Sequence, residues 1–71
     1  MGIAIYFCTL QDANGKEINE TAQCECKNSM QHYIDSFEHS ENYQTTIYDR
    51  CGDAVGFKAL GMTGIAWYPG A

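Results

Sequence analysis

The segment 28–38 carries the clearest helical pattern in the chain. Its apolar residues recur at i, i+3, i+4 and i+7 and form a single stripe: Met30, Tyr33, Ile34 and Phe37. Asn28 can accept hydrogen bonds from the N–H groups of a first turn, and Gln31 can reach back to complete a capping box. The pattern predicts one amphipathic helix over 28–38 that covers one face of a small sheet.

The first part of the chain is patterned as a strand followed by a turn. Residues 3–10 are apolar on both alternating faces, which is typical of a central strand. The dipeptide Asn14-Gly15 favours a tight hairpin, because both residues tolerate positive φ. We therefore expect the chain to reverse between residues 11 and 16.

Residues 17–27 leave two interpretations open. Small apolar and polar residues alternate over 22–26, as in a half-buried strand. Alternatively, the helical stripe could extend backwards and make one helix from about 21 to 38. The cap at Asn28 favours a strand followed by the helix.

Three short strands are predicted after the helix. Residues 43–49 are rich in β-branched and aromatic side chains, 50–53 form a turn, and 54–60 and 65–68 return as strands. The order β-β-α-β-β-β predicts a single α+β domain over residues 1–71. In it, one helix packs on one face of an antiparallel sheet of about five strands.

The aromatic residues divide by their alternation along the strands. We expect four of them in the core: Tyr33, Phe37, Phe57 and Trp67. Three tyrosines have the opposite parity to apolar neighbours, so some should lie on the uncovered sheet face: Tyr6, Tyr48 and Tyr68. Exposed tyrosines ringed by carboxylates would resemble a protein-binding hot spot, and could equally form a dimer interface.

Length and charge restrict the function. A chain of 71 residues has room for one core, and its formal net charge of −5 repels a phosphate backbone. We therefore expect no direct nucleic-acid binding, and the same charge suits docking onto a basic protein surface. The apolar start lacks a basic n-region and no run is long enough for a membrane span, so we expect a cytoplasmic protein.

The four cysteines invite a metal interpretation that their spacing does not favour. Cys24 and Cys26 are separated by one residue, whereas structural zinc sites use two to four, and no second such pair exists. A reactive thiolate also needs a positive environment, and the chain has only four basic side chains. We expect buried thiols, no cofactor and no enzymatic activity.

The acidic residues of the helix form the clearest candidate surface. Asp35 and Glu38 lie one turn apart on its solvent side, and Glu41 follows just beyond. These carboxylates could be a docking patch or an ordinary solvated face.

The segments 3–10, 14–16, 21–37, 47–52 and 55–68, read together, resemble the small single-domain anti-CRISPR proteins that inhibit type I CRISPR-Cas systems. The resemblance lies in layout, length and acidity. It implies binding to a Cas subunit of a crRNA-guided surveillance complex, where carboxylates meet basic DNA-contacting residues and block target recognition. The site it implies is the acidic set with nearby tyrosines as anchors: Glu25, Asp35, Glu38, Glu41, Tyr48 and Tyr68.

Two other classes of function remain open. The chain could be a regulatory, antitoxin-like module that homodimerises through its open sheet face. It could also be a small zinc module, which would require the thiols to converge on a metal. The expected oligomeric state is therefore monomer or homodimer.

Overall fold

The computed structural model describes residues 2–70 and shows an α+β fold, with one helix on a five-stranded antiparallel sheet. The chain order is β-β-α-β-β-β, as predicted, and the strands are arranged β2-β1-β3-β4-β5 across the sheet. The elements are β1 Tyr6–Cys8, β2 Ala22–Cys24, α1 Lys27–Asp35, a 3-10 helix Ser40–Asn42, β3 Thr45–Tyr48, β4 Ala54–Lys58 and β5 Ala66–Trp67.

Strand β1 is interior, as its two apolar faces indicated, because it pairs with β2 on one side and β3 on the other. It is shorter than the predicted 3–10. Gln11 continues the pairing only as isolated bridges to Glu17 and Gln44. Next to Gln11, the N–H of Leu10 donates to Asn19 Oδ1 at 2.8 Å. This side-chain acceptor takes the place of a regular ladder partner at the strand end.

Two turns of the sheet are built on the same plan. In the first, Asp12 Oδ1 accepts from the N–H groups of Asn14 and Lys16, and Gly15 takes φ +82°. In the second, which joins β3 to β4, Asp49 Oδ1 accepts from Cys51 and Asp53, and Gly52 takes φ +85°. Each turn is thus closed by its own aspartate and by a glycine that tolerates positive φ. Both predicted reversals are confirmed.

Helix α1 begins one residue earlier than predicted and ends three residues earlier. Its N-cap is Cys26 and not Asn28: the N–H of Ser29 donates to Cys26 Sγ at 3.4 Å. The helix ends at Asp35, and beyond it the N–H of Phe37 donates to the carbonyl of Ile34 at 3.1 Å, a tighter i−3 bond. The hydroxyl of Ser36 also donates to the carbonyl of Tyr33, at 2.6 Å. The alternative of one helix over 21–38 is wrong, since β2 precedes the helix.

The core lies between α1 and one face of the sheet, which we call the covered face. Its buried apolar residues are Cys8, Leu10, Ala22, Cys24, Met30, Ile34 and Ile47. The Cys8 thiol lies 3.4 Å from Met30 Sδ, which joins β1 directly to the helix. Among the aromatics expected in the core, three pack against this cluster as partly buried side chains: Tyr33, Phe37 and Trp67. Tyr6 also packs there, against Trp67, so it does not lie on the uncovered face.

Phe57 is the aromatic residue whose predicted core position is wrong. It lies on the uncovered face, 38% exposed, while its neighbour Lys58 is 1% exposed and pairs with the buried Thr45. The ladder between β3 and β4 is irregular, because Ile47 pairs with Gly56 but Tyr48 pairs with Ala54. Val55 is therefore an extra residue, a β-bulge, and it packs against the core instead of sharing a face with Phe57.

None of the helices within residues 2–70 is long and apolar enough to cross a bilayer.

Candidate functional site

The six residues predicted to bind a partner lie in three separate places. Glu25 precedes the N-cap of α1, three carboxylates lie at and beyond the other end of the helix, and two tyrosines lie on the uncovered sheet face. They do not form one tyrosine cluster ringed by carboxylates. We call the group formed by Asp35, Glu38 and Glu41 the acidic exit.

The acidic exit is organised around His39. This residue has φ +58°, a left-handed conformation that is uncommon outside glycine, and it reverses the chain after the helix. Its Nε2 lies 3.3 Å from Glu38 Oε1, and its Nδ1 lies 3.6 Å from Glu41 Oε1. The two carboxylates therefore flank one imidazole. The side chain of Glu38 is 89% exposed and that of Glu41 is 47% exposed, so both remain available to a partner.

Asp35 is connected to the rest of the domain through Gln31. The Gln31 amide donates to Asp35 Oδ1 at 2.9 Å and to the carbonyl of Thr63 at 3.1 Å. Its side-chain oxygen accepts from the N–H of Ile65 at 2.9 Å. Gln31 thus ties the helix to the connection between β4 and β5 and does not cap the helix start, which corrects the predicted capping box.

Lys58 forms hydrogen bonds with the backbone on both sides of Glu41. Its amino group donates to the carbonyl oxygens of Ser40 and Tyr43, both at 2.6 Å. Burial of the ammonium lowers the pKa of Lys58, and the nearby carboxylate of Glu41 acts in the opposite direction. The N–H of Gly61 also donates to the carbonyl of Glu41 at 2.7 Å. The segment that carries Glu41 is therefore fixed to β4 and to the turn after it.

The start of the helix presents a different environment. Glu25 and Cys26 line a shallow cavity with Lys27, whose amino group lies 5.2 Å from the ring centroid of Trp67. The hydroxyl of Ser29, 2.9 Å from Cys26 Sγ, and then the Ser29 N–H lower the pKa of the Cys26 thiol. Glu25 is thus separated from the acidic exit by the length of α1.

The uncovered sheet face carries a groove of about 510 Å³, which we call the open-face groove. Phe7 of β1 pairs directly with Tyr48 of β3 at one end of it. Phe57 also lines the groove, and its ring centroid lies 6.0 Å from that of Tyr68. Polar side chains continue the lining: Thr9, Gln11, Glu17, Thr21, Gln44 and Thr46. Buried residues of the same strands also contribute to it, among them Thr45 and Lys58. The expectation that some tyrosines lie on this face is confirmed for Tyr48 and Tyr68.

Sequence reasoning did not identify Phe7, Gln11, Glu17 or Phe57 as surface candidates. The signal was present for β1, because Phe7, Thr9 and Gln11 share one parity and alternate with the buried Cys8 and Leu10. The exposure of Phe57 in β4 could not be predicted in this way, because simple alternation puts Val55 and Phe57 on one face and does not reveal the bulge at Val55.

The cysteines are all free thiols, and they are not all buried as expected. Cys8 and Cys24 are buried, while Cys26 and Cys51 are exposed. Burial raises the pKa of Cys8 to about 11, with a smaller opposing hydrogen bond from Thr45, and burial likewise raises the pKa of Cys24. Within residues 2–70, no three histidine, cysteine or acidic side chains are grouped so that they could hold a metal ion.

Comparison with protein-family models, with curated proteins and with solved structures found no match for this chain.

Proposed function

We propose that this protein is a non-enzymatic inhibitor that binds a basic, nucleic-acid-recognising surface of a partner protein through the acidic exit. The observation that carries the proposal is the state of Glu38 and Glu41. In the part of the chain that the structure describes, neither makes an ion pair with a lysine or arginine, and both contact His39. Glu41 is also near enough to the buried ammonium of Lys58 to interact with it electrostatically.

Charge and rigidity support the same function. The net charge of −5 favours encounter with a basic surface, because complementary potentials speed association and select partners. Lys58 donates hydrogen bonds to the carbonyls of Ser40 and Tyr43, which flank Glu41. Gln31 bonds both Asp35 and the carbonyl of Thr63. A carboxylate group that is positioned before binding loses less conformational entropy when it meets its partner.

The resemblance to small anti-CRISPR proteins gives the partner a chemical class. Such a protein would occupy arginine and lysine residues that contact target DNA on a Cas subunit of a type I complex. The proposal needs no catalytic residues, and it predicts competition with DNA instead of cleavage of it.

A double charge reversal at the acidic exit tests the proposal. The variant Asp35→Lys with Glu38→Lys should bind a purified, crRNA-loaded type I surveillance complex at least roughly tenfold more weakly than the wild type. The matched control is Glu20→Lys with Asp53→Lys, which changes the net charge equally at two other exposed positions. Binding is measured by calorimetry at physiological salt, with target DNA as competitor.

Unchanged affinity in the acidic-exit variant would refute the proposed site. An equal loss in the control would show that only the overall charge matters.

A second candidate function is a homodimeric regulatory module. It is favoured by the open-face groove, where Tyr48, Phe57 and Tyr68 remain 44%, 38% and 42% exposed. Sedimentation equilibrium in buffer distinguishes the two candidates. A stable dimer that binds no basic partner would support the module, and a monomer that binds the complex would support the inhibitor.

A further inference from the structure

The register of the sheet divides the open-face groove into three rows of side chains. The row at one end is Glu17, Gln11 and Gln44, which are joined by two isolated bridges beyond the strand ends. The middle row contains Thr21, Thr9 and Thr46, extended by Phe57, which pairs with Thr46. The row at the other end contains Phe7 and Tyr48. The groove therefore changes from polar to aromatic along the strand direction.

The polar end combines two side-chain amides, those of Gln11 and Gln44, with one negative charge on Glu17. The amide nitrogen of Gln44 already donates to the carbonyl of Asp12 at 3.0 Å, so its side-chain oxygen is left to accept. Glu17 is exposed, and no cation within residues 2–70 pairs with it. Lys58 also lines the groove, but its amino group is directed to the carbonyl oxygens of Ser40 and Tyr43 and makes no ion pair with Glu17.

The polar end is also continuous with the acidic exit. Gln44 follows directly on the segment that Lys58 holds, and Asp12, to which Gln44 is bonded, lines a neighbouring cavity with Glu41. The hydrogen bond between Gln44 and Asp12 therefore links the lining of the groove to the cavity that Glu41 lines.

The dimensions of the groove match an extended peptide. Gln11 lies four positions after Phe7, and Tyr48 lies four positions after Gln44, which is about 13 Å at the rise of a β-strand. In an extended ligand, side chains at positions i and i+4 point the same way and lie the same distance apart.

We propose that the open-face groove binds an extended segment of the basic partner, with an arginine at the Glu17 end and an aromatic residue four positions away against Phe7 and Tyr48. The planar guanidinium offers five donors to the carboxylate and amide oxygens, whereas the ammonium of lysine offers three in a compact head. The aromatic residue packs edge or face against the two rings. This inference rests on the proposed function only in that the partner is a basic protein.

Short peptides test the groove separately from any complex. The probe is a capped pentapeptide with arginine first, tryptophan fifth and alternating threonine and valine between them. Binding is followed by amide chemical shifts of the isotope-labelled full chain. The largest shifts should fall on Gln11, Glu17 and Gln44 and on Phe7 and Tyr48. Replacing the arginine with lysine, or moving the tryptophan to position four, should weaken binding roughly three- to tenfold.

Matched variants connect the shifts to the proposed contacts. Glu17→Gln should weaken binding of the arginine peptide roughly three- to tenfold, while Glu20→Gln, an exposed glutamate outside the groove lining, should leave it unchanged. Equal binding of the arginine and lysine peptides, or shifts outside the groove, would overturn the assignment. So would a dimer that buries this face, or an oligothymidine that shifts the same residues more strongly than the peptide.

The two proposals fail in different ways. The Asp35→Lys and Glu38→Lys variant should still bind the peptide. If the wild type binds the peptide but no type I complex, the proposed function is wrong and the groove assignment stands. If it binds the complex through the acidic exit but not the peptide, the groove assignment is wrong.

Discussion

The amino group of Lys58 donates a 2.6 Å hydrogen bond to the carbonyl oxygen of Tyr43, from a side chain that is 1% exposed. Replacing Lys58 with methionine keeps the apolar stem but removes this donor. Since an unpaired buried carbonyl costs about 1–3 kcal/mol, Lys58→Met should lower the free energy of unfolding by that amount in urea denaturation.

Lys16→Met is the matched control, because Lys16 is exposed at the tip of the first turn. Its effect should stay within about 0.5 kcal/mol. Equal stability of Lys58→Met and wild type would show that relief of ammonium burial offsets the lost hydrogen bonds.

Cys8 makes the stability of the domain fall in alkaline solution. Burial raises its pKa from 9.0 to about 11 in the folded protein, so the folded state keeps a proton that the unfolded state releases. The contribution of the protonated Cys8 to the free energy of unfolding is fully present below about pH 9 and is lost as the pH rises towards 11. One pKa unit corresponds to about 1.4 kcal/mol, so about 2 kcal/mol of unfolding free energy should disappear across this interval.

The measurement compares the wild type with Cys8→Ala by urea denaturation at several pH values. The decline from about pH 8 to about pH 11 should be about 2 kcal/mol smaller in the variant. The raised pKa of Cys24 acts in the same direction in both proteins, so the difference isolates Cys8. Parallel profiles would mean that the Cys8 thiol is hydrated in the folded state.

Gly56 is required by the close approach of β5 to β4. A Cβ at this position would lie 3.0 Å from the carbonyl oxygen of Ala66 and 3.2 Å from the ring of Trp67. Because a backbone oxygen cannot move aside without shifting the strand, Gly56→Ala should destabilise the domain by about 1–3 kcal/mol. Gly64→Ala is the control, since its Cβ would meet one atom only, at 3.9 Å. Thermal unfolding of the two variants should show a lower midpoint for Gly56→Ala than for Gly64→Ala. Similar midpoints would contradict the packing argument.

Cys26 should be the most readily alkylated of the four cysteines at neutral pH. It is exposed, and hydrogen bonds from the Ser29 hydroxyl and N–H lower its pKa. Iodoacetamide labelling followed by peptide mass spectrometry measures the order of reaction. In Ser29→Ala, labelling of Cys26 should slow several-fold while that of Cys51, exposed in the second turn, stays the same. Faster labelling of Cys51 in the wild type would argue against the N-cap geometry.

The fold could be predicted from sequence because its elements follow simple periods. Asn14-Gly15, the alternation over 22–26 and the stripe from Met30 to Phe37 each depend on local chemistry, and each led to the correct element type. The errors lie at the boundaries. The N-cap of α1 is Cys26, although Asn28 is the better intrinsic cap. The helix begins this early since only Glu25 and Cys26 separate it from β2.

The surface was harder to predict because tertiary pairing determines it. Lys58 is a residue that sequence rules place outside, and it is buried only because the carbonyls of Ser40 and Tyr43 converge on it from a distant segment. The bulge at Val55 likewise changes which side chains of β4 face outwards, and no local pattern announces it. Asp35, Glu38 and Glu41 could be grouped from sequence because they are close along the chain, although α1 ends at Asp35 and the predicted helical position of Glu38 is wrong.

The two aspartates that clamp the turns alter how the acidity of this chain should be judged. The chain has nine aspartate and glutamate residues, but Asp12 and Asp49 each direct an oxygen into their own backbone amides. One carboxylate oxygen of each is therefore already bonded to backbone N–H groups of its own turn. Loss of a surface glutamate would therefore change only the charge offered to a partner. Loss of Asp12 or Asp49 would also remove the hydrogen bonds that close a turn.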